Sequence, residues 1–386
     1  MLTSKFIKTF FTILDLVTPK DKKLISFAQN KGFYSDNARA LFLHITESEQ
    51  VLKAVWLCDS QQQADRIRAD TPDAVVVLKN SLKGIMYAAR ASTFVFTHSL
   101  GDFRPFHKPS GRKIQLFLWH AISIKRYGLC KPSKPTTSKS APKRRHIIAS
   151  SSIDAVVNSA CSGVSFHRTH ITGLPRNDVL CNTPDSVPPL PKSLQGNCGH
   201  LVLYAPTYRD DQNGTAFFPF PDFDPESLAA TLDQMCCTIL MRPHINDLQM
   251  TRKIHAHWHQ DSSCCQIVGQ DTVPDVADLL PHIDAVITDY SSIYVDLLLR
   301  DVPAIFIPYD IRDYESTRGL LYDYNSITPG PKVFTQESFL QELSLALSGA
   351  NHYGEHRYII KNLLHQHHDG SAASNVSKTI RELNHL

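Results

Sequence analysis

Short apolar runs alternate with amphipathic stretches along almost the whole chain. KKLISF (22–27) reads as a strand, and SDNARALFLHI (35–45) as a helix begun by Ser35 or Asp36. KAVWLCD, AVVVLKN, TFVFTH, IQLFLWH, HIIASS and THITG continue the strand series. This rhythm predicts a mainly parallel sheet with helices on both faces. The periodicity lapses in CNTPDSVPPLPKSLQGNCG (181–199), whose Pro, Ser and Gly content reads as a linker. A second series follows in HLVLYAP, CTILMRPH, CCQIVG, AVITDY and PAIFIPY, and the chain closes on helix-prone sequence from ESFLQELSLAL onward. The expected architecture is two successive Rossmann-like α/β domains facing across a cleft. The expected boundaries are an amphipathic segment over 1–20, domains over 21–185 and 195–350, and C-terminal helices over 351–386.

Composition narrows the class. Of 386 residues, 42% are hydrophobic and 20% charged, as in globular domains, and a net charge of +3 is too small to point to nucleic acid. The distribution of charge says more. Between Ala121 and Ser150 no acidic residue occurs, while Lys125, Arg126, Lys131, Lys134, Lys139, Lys143, Arg144 and Arg145 all do. Such a run is a solvated loop, or it meets an anionic substrate or lipid surface. Nine scattered cysteines without C-x-x-C spacing give no zinc signature and fit a reducing compartment. Near the N-terminus Phe6, Phe10, Ile13 and Val17 recur at helical spacing beside Lys5 and Lys8. This predicts an amphipathic helix packed on the protein, with a membrane surface as the alternative.

In open parallel sheets ligands sit at the carboxyl ends of the strands. Here those ends are polar: Trp119-His120, Thr172-Gly173, Pro206-Thr207, Arg242-Pro243-His244 and Thr288-Asp289-Tyr290-Ser291-Ser292. His120, following a very apolar run, is either a satisfied core imidazole or a general base. Arg242 and His244 suit an anionic oxygen. Ser291 and Ser292 stand where a strand turns into a helix, a place for a phosphate or for a plain N-cap. Asp289 is a candidate acceptor for a ribose or glycerol hydroxyl. Thr207 and Arg209, Arg176 and Asn177, and Arg312 and Arg318 add further polar groups to strand and loop ends. Neither a P-loop nor a G-x-G-x-x-G occurs, and no carboxylates have metal-binding spacing, so no cofactor and no metal are expected.

At this point the motifs match a known family. KKLISFAQNKGFYSDNARAL, LFLWHAISIKRYG, THITGLPRND, LYAPTYRD, MRPHIND, VITDYSSIYVDLLLRDVPAIFIPYDIRDYESTRGLLYDY and TPGPKV, with the tail HHDGSAASNVSKTI, resemble the CDP-glycerol:poly(glycerophosphate) glycerophosphotransferases of teichoic-acid and capsule biosynthesis. The resemblance implies a GT-B fold with an N-terminal acceptor domain and a C-terminal donor domain. It implies transfer of an alditol phosphate, glycerol phosphate foremost, from CDP-glycerol or CDP-ribitol to a hydroxyl of a glycan or lipid-linked acceptor, with release of CMP. It also implies action in the cytoplasm at the inner membrane face. Catalytic histidines carry over to His120 and His244, and donor-phosphate hydroxyls to Ser291 and Ser292. The substrate-binding expectation takes in Arg176, Asn177, Thr207, Arg209, Arg242, Thr288, Asp289 and Arg318. The sequence departs from the family in Ala121 for the Gly after His120, in Leu174 for an aromatic residue and in Tyr208 for Trp. These changes bear on the acceptor. The alternatives are a nucleotide-sugar glycosyltransferase of the same fold and a catalytically silent CDP-alditol-binding homologue.

Overall fold

The computed structural model describes all residues except 1–3, 30–31, 133–140, 182–186, 188, 195–198, 210–214, 245–246 and 248–263. Most of the expected linker and Lys134 and Lys139 of the basic run lie outside the described residues. By contact the chain forms two units: 1–120 with 135–182 and 365–386, and 121–134 with 183–364. Residues 121–134 therefore belong to the second unit, and the C-terminal segment returns to the first.

The first unit is built on β1 (Asp21–Phe27), β2 (Lys53–Cys58), β3 (Val76–Leu78), β4 (Ala91–Phe96), β5 (Ile114–Phe117), β6 (Arg145–Ala149) and β7 (Thr169–Ile171). They form one sheet in the order β3-β2-β1-β4-β5-β6-β7, and every pairing is parallel. The apolar runs of the sequence become strands because helices cover both faces, and β4 is buried at all of its positions. Helix α1 (Ser4–Val17) packs on this unit and α2 (Asp36–Glu47) buries Asn37, Ala38, Leu41, Phe42 and Ile45 along one face. The helix Ala372–Asn384 closes the unit, and its Asn384 side chain donates to Thr93 Oγ1 in β4 at 3.0 Å.

The face that α1 buries differs from the expected one. Ile7 and Phe11 are buried and Phe10 and Leu14 pack partly against the core, whereas Phe6, Ile13, Leu16 and Val17 are exposed. Asp15 fixes this rotation. Its carboxylate is buried and pairs with Lys113 at 2.9 Å and Lys20 at 2.8 Å. Burial pushes the Asp15 carboxyl up, but the two ammonium groups and the Ser110 amide outweigh it and hold the group below its ordinary range. An internal ion pair, invisible to apolar periodicity, thus decides which of two apolar stripes faces inward.

The second unit carries β8 (His200–Tyr204), β9 (Cys237–Met241), β10 (Cys265–Ile267), β11 (Ala285–Thr288) and β12 (Ala304–Phe306). Their order is β10-β9-β8-β11-β12, again wholly parallel. Its core joins Val202, Ile239, Ile287 and Ile305 of the sheet to Leu228, Leu232, Phe339 and Leu343 of the covering helices. In both sheets the chain order reverses once, between β1 and β4 and between β8 and β11. At such points the loops part and leave a crevice at the carboxyl edge.

Candidate active site

In the first unit, β5 ends in Leu118-Trp119-His120. Trp119 adopts φ 53, a left-handed conformation that side chains rarely take, so the backbone turns sharply just before His120. Ala121 has no positive φ, so the methyl in place of the family's Gly does not strain this turn. The turn is held from two distant segments. Asn37 Nδ2 donates to the Trp119 carbonyl at 3.1 Å, and Arg176 Nη1 donates to the His120 carbonyl at 2.6 Å. Arg176 is in turn fixed by Asp36 at 3.1 Å, and its amide donates to Asn37 Oδ1 at 3.1 Å. The imidazole of His120 stacks on His98 from the end of β4, with ring centroids 4.9 Å apart, and on Trp119 at 4.1 Å.

Three of the sequence motifs, YSDNARAL, LFLWHA and GLPRND, therefore meet at one strand end. Arg176 and Asn177, expected on substrate, are buried, and Arg176 shapes the backbone that presents His120. Asn37 and His98 carry no sequence signal for this role, and Asp36 reads in the sequence only as a helix start. Asn37 lies inside a motif already noted, but no spacing rule connects it with residue 119. The tail motif also finds its partner here. Asp178 accepts from the amides of Ala372 and Ala373, both at 2.8 Å, where the last helix begins. Gly173 at φ +79 lets that helix approach, since a Cβ there would lie 2.8 Å from the Ala372 methyl.

In the second unit the reversal point brings together the ends of β8 and β11, with Ile287 beside Tyr204. Thr288 is fully buried and its hydroxyl donates to the Ala205 carbonyl at 2.8 Å, which ties the end of β11 to the segment after β8. Asp289 Oδ1 accepts from the Thr207 amide at 2.8 Å and the Tyr290 amide at 2.5 Å, while Oδ2 accepts from Arg209 at 2.8 Å. Both carboxylate oxygens are engaged by the protein. Arg209 also donates to Asp310 through Nε at 2.8 Å and Nη2 at 2.9 Å, and lies between the rings of Tyr290, Tyr309 and Tyr314. It is the buried keystone of the crevice floor, with its hydrogen bonds directed inward rather than to a phosphate.

Ser291 and Ser292 differ from these. Ser292 precedes the helix Ile293–Leu297 without forming a side-chain cap bond, so the plain N-cap alternative is not what the structure contains. Neither hydroxyl has a hydrogen-bond partner among the described residues, and Ser291 is half-buried. The Thr207 hydroxyl, on a residue 7% exposed, likewise has none. Arg242, at the end of β9, donates from Nη1 to the carbonyls of Val268, Gly269 and Val273 at 3.1, 2.9 and 2.6 Å. Burial brings its pKa down to about 10, against the pull of Asp275, Asp271 and Asp278. It fastens the loop after β10. His244, two residues on, is exposed and stacks on Tyr208 with centroids 4.8 Å apart. Arg318 is half-buried at the end of the helix Ile311–Thr317, and Arg312 on that helix is exposed.

Two wholly parallel α/β sheets, each with polar groups gathered where its strand order reverses, define a GT-B-type enzyme. The chain belongs to the CDP-Glycerol:Poly(glycerophosphate) glycerophosphotransferase family, whose sequence profile matches residues 10–382. It is an enzyme of that transferase class. It is 27% identical to a teichoic acid glycerol-phosphate transferase of Staphylococcus aureus, over 93% of each chain. It is also 27% identical to a teichoic acid poly(glycerol phosphate) polymerase of Bacillus subtilis, matching 89% of this chain and 46% of that longer protein. Among solved structures the wall teichoic acid polymerase TagF superimposes with a TM-score of 0.76 at 19% identity, covering 99% of this chain and 94% of that one.

Proposed function

We propose that this enzyme transfers glycerol phosphate from CDP-glycerol to a hydroxyl of a glycan or lipid-linked acceptor of the cell envelope, releasing CMP. The observation that carries this reading is the pair of unengaged hydroxyls, Ser291 and Ser292, at the reversal point of the second sheet. Glycerol phosphate is the group in the names of both relatives described above. In this reading His120 takes the proton from the acceptor hydroxyl, whose oxygen attacks the phosphorus that carries the glycerol. The bond from that phosphorus to the CMP oxygen breaks, and CMP leaves with the electron pair. Ser291, Ser292 and His244 donate to the donor phosphates as negative charge moves onto the leaving group, and Arg242 acts through the loop it fastens. Holding His120 by its carbonyl, through Arg176, fixes the backbone that carries the base.

The exposed stripe of Phe6, Ile13, Leu16 and Val17 on α1, with Lys8 beside it, supports peripheral attachment to an anionic membrane surface. No helix among the described residues is long and apolar enough to cross a bilayer. Sedimentation with anionic liposomes that is lost in high salt is the expected result, and salt-independent failure to sediment counts against it.

The deciding experiment offers CDP-glycerol and CDP-ribitol separately, each with a panel of glycan and lipid-linked acceptors, and follows CMP. Release from CDP-glycerol with a phosphodiester product is expected. Release from CDP-ribitol alone would move the assignment to the other alditol. A glycoside product with release of a nucleoside diphosphate from a nucleotide sugar would overturn the reaction.

A further inference from the structure

Residues Ile124–Arg126 carry the first charges of the basic run, and they are no solvated loop. They belong to the second unit and lie antiparallel to Gly319–Leu321. The Arg126 amide donates to the Gly319 carbonyl at 3.0 Å, the Leu321 amide to the Ile124 carbonyl at 2.9 Å, and Arg126 Nε to the Leu320 carbonyl at 3.1 Å. Gly319, at φ +76, permits this approach, because a Cβ there would come within 2.9 Å of Arg126 Cδ. Lys125 is thereby pinned at the backbone on both sides.

Its side chain is half-buried, and among the described residues no carboxylate lies within ion-pair distance of its ammonium. Burial pushes its pKa down to about 8; Asp289 pulls it up, while Arg318 and Arg209 add to the lowering. Asp289 is already engaged by Arg209 and by two backbone amides. The Thr207 hydroxyl, on a residue more than nine-tenths buried and with its amide on the same Asp289, has no hydrogen-bond partner among the described residues. The cluster is arranged for an anion that the protein does not itself supply.

We infer that Lys125 is a donor-phosphate ligand, its ammonium meeting a phosphate oxygen of the CDP-activated substrate at the reversal point of the second sheet. This rests on the donor reading above and adds to it the cation that Arg209 cannot be. A desolvated ammonium without an acid partner is unfavourable in the empty protein and gains most when a phosphate arrives.

The test titrates CDP, and CDP-glycerol without acceptor, into the wild type, Lys125→Met and Lys125→Arg by calorimetry at pH 8, in buffers of different ionisation enthalpy. CMP release and thermal unfolding are followed in parallel. Loss of one charge-assisted contact should weaken CDP binding by about ten- to a hundredfold in Lys125→Met, with partial recovery in Lys125→Arg. KM for CDP-glycerol should rise more than kcat falls. Wild-type binding should take up a proton at pH 8 and Lys125→Met binding should not. Thermal stability of Lys125→Met should be unchanged or higher. Unchanged CDP affinity in Lys125→Met overturns the inference, as does a lower melting temperature with proton uptake retained. Should the wild type bind CDP but release no CMP from either CDP-alditol, the reaction reading fails while the affinities still decide the role of Lys125. A wild type that binds neither ligand overturns both.

Discussion

The Arg176 guanidinium donates a 2.6 Å hydrogen bond to the backbone carbonyl of His120 and pairs with the carboxylate of Asp36 at 3.1 Å. A residue more than fifty positions downstream therefore sets where the imidazole stands. Arg176→Ala should lower turnover with little effect on donor affinity, because its bond to the His120 carbonyl sets the turn that presents the proposed base. It should also cost roughly 3 kcal/mol of stability, as breaking a buried pair strands Asp36. Arg176→Lys should recover part of the stability and little of the turnover, since one ammonium does not reproduce the planar fork. Steady-state kinetics and urea unfolding of the two variants check this. Equal loss of donor affinity and turnover would contradict the positioning role.

His120→Ala removes the proposed base from a turn whose carbonyls are held by Asn37 and Arg176. Turnover is expected to fall by about 10²–10⁴, with the melting temperature nearly unchanged and CDP-glycerol binding retained. Single-turnover CMP release and calorimetric binding separate these quantities. Wild-type turnover in the variant would remove His120 from the chemistry.

Ser291 and Ser292 should behave oppositely to Arg209. Their hydroxyls bond to no other described residue, so the double replacement by Ala should shift stability by about 0.5 kcal/mol or less while CDP-glycerol turnover drops strongly. Arg209→Met leaves Asp289 and Asp310 without their shared cation and should destabilise the second unit by roughly 3–5 kcal/mol. Denaturant melts of both variants, set beside their rates, test the contrast. A stable Arg209→Met that merely binds donor weakly would return Arg209 to the ligand.

Lys113 gives a pH dependence of known sign. Burial pushes its ammonium down to about 7, although Asp15 opposes the shift, while the ordinary value is 10.5. Between those values the unfolded chain binds the extra proton, so stability contributed by this site rises as the pH is raised from about 7 toward 10.5. Urea midpoints at pH 7 and pH 9 should therefore diverge more in the wild type than in Lys113→Met. A slope unaltered by the substitution would assign it to other groups.

What the sequence determined by itself was the set of local elements and their class. Every apolar run read as a strand lies in one of the two parallel sheets, because a strand covered by helices on both faces needs continuous apolar sequence, and that is a local property. The polar strand ends were legible for the same reason, as were the family motifs. Three things were decided only by the tertiary structure. The inward face of α1 depends on Asp15 meeting Lys113, nearly a hundred residues away, and apolar spacing alone offered two stripes. The division of labour among polar residues depends on which donors and acceptors are already engaged. Arg209, Asp289 and Thr288 are turned inward by partners on other strands, while Ser291 and Ser292 are left open. Lys125 changes from one charge in a basic run to a desolvated cation because Gly319 lets its segment pair with a loop far along the chain. Hydrophobic pattern specifies elements through nearest neighbours, whereas hydrogen-bond satisfaction and desolvation depend on contacts across the fold.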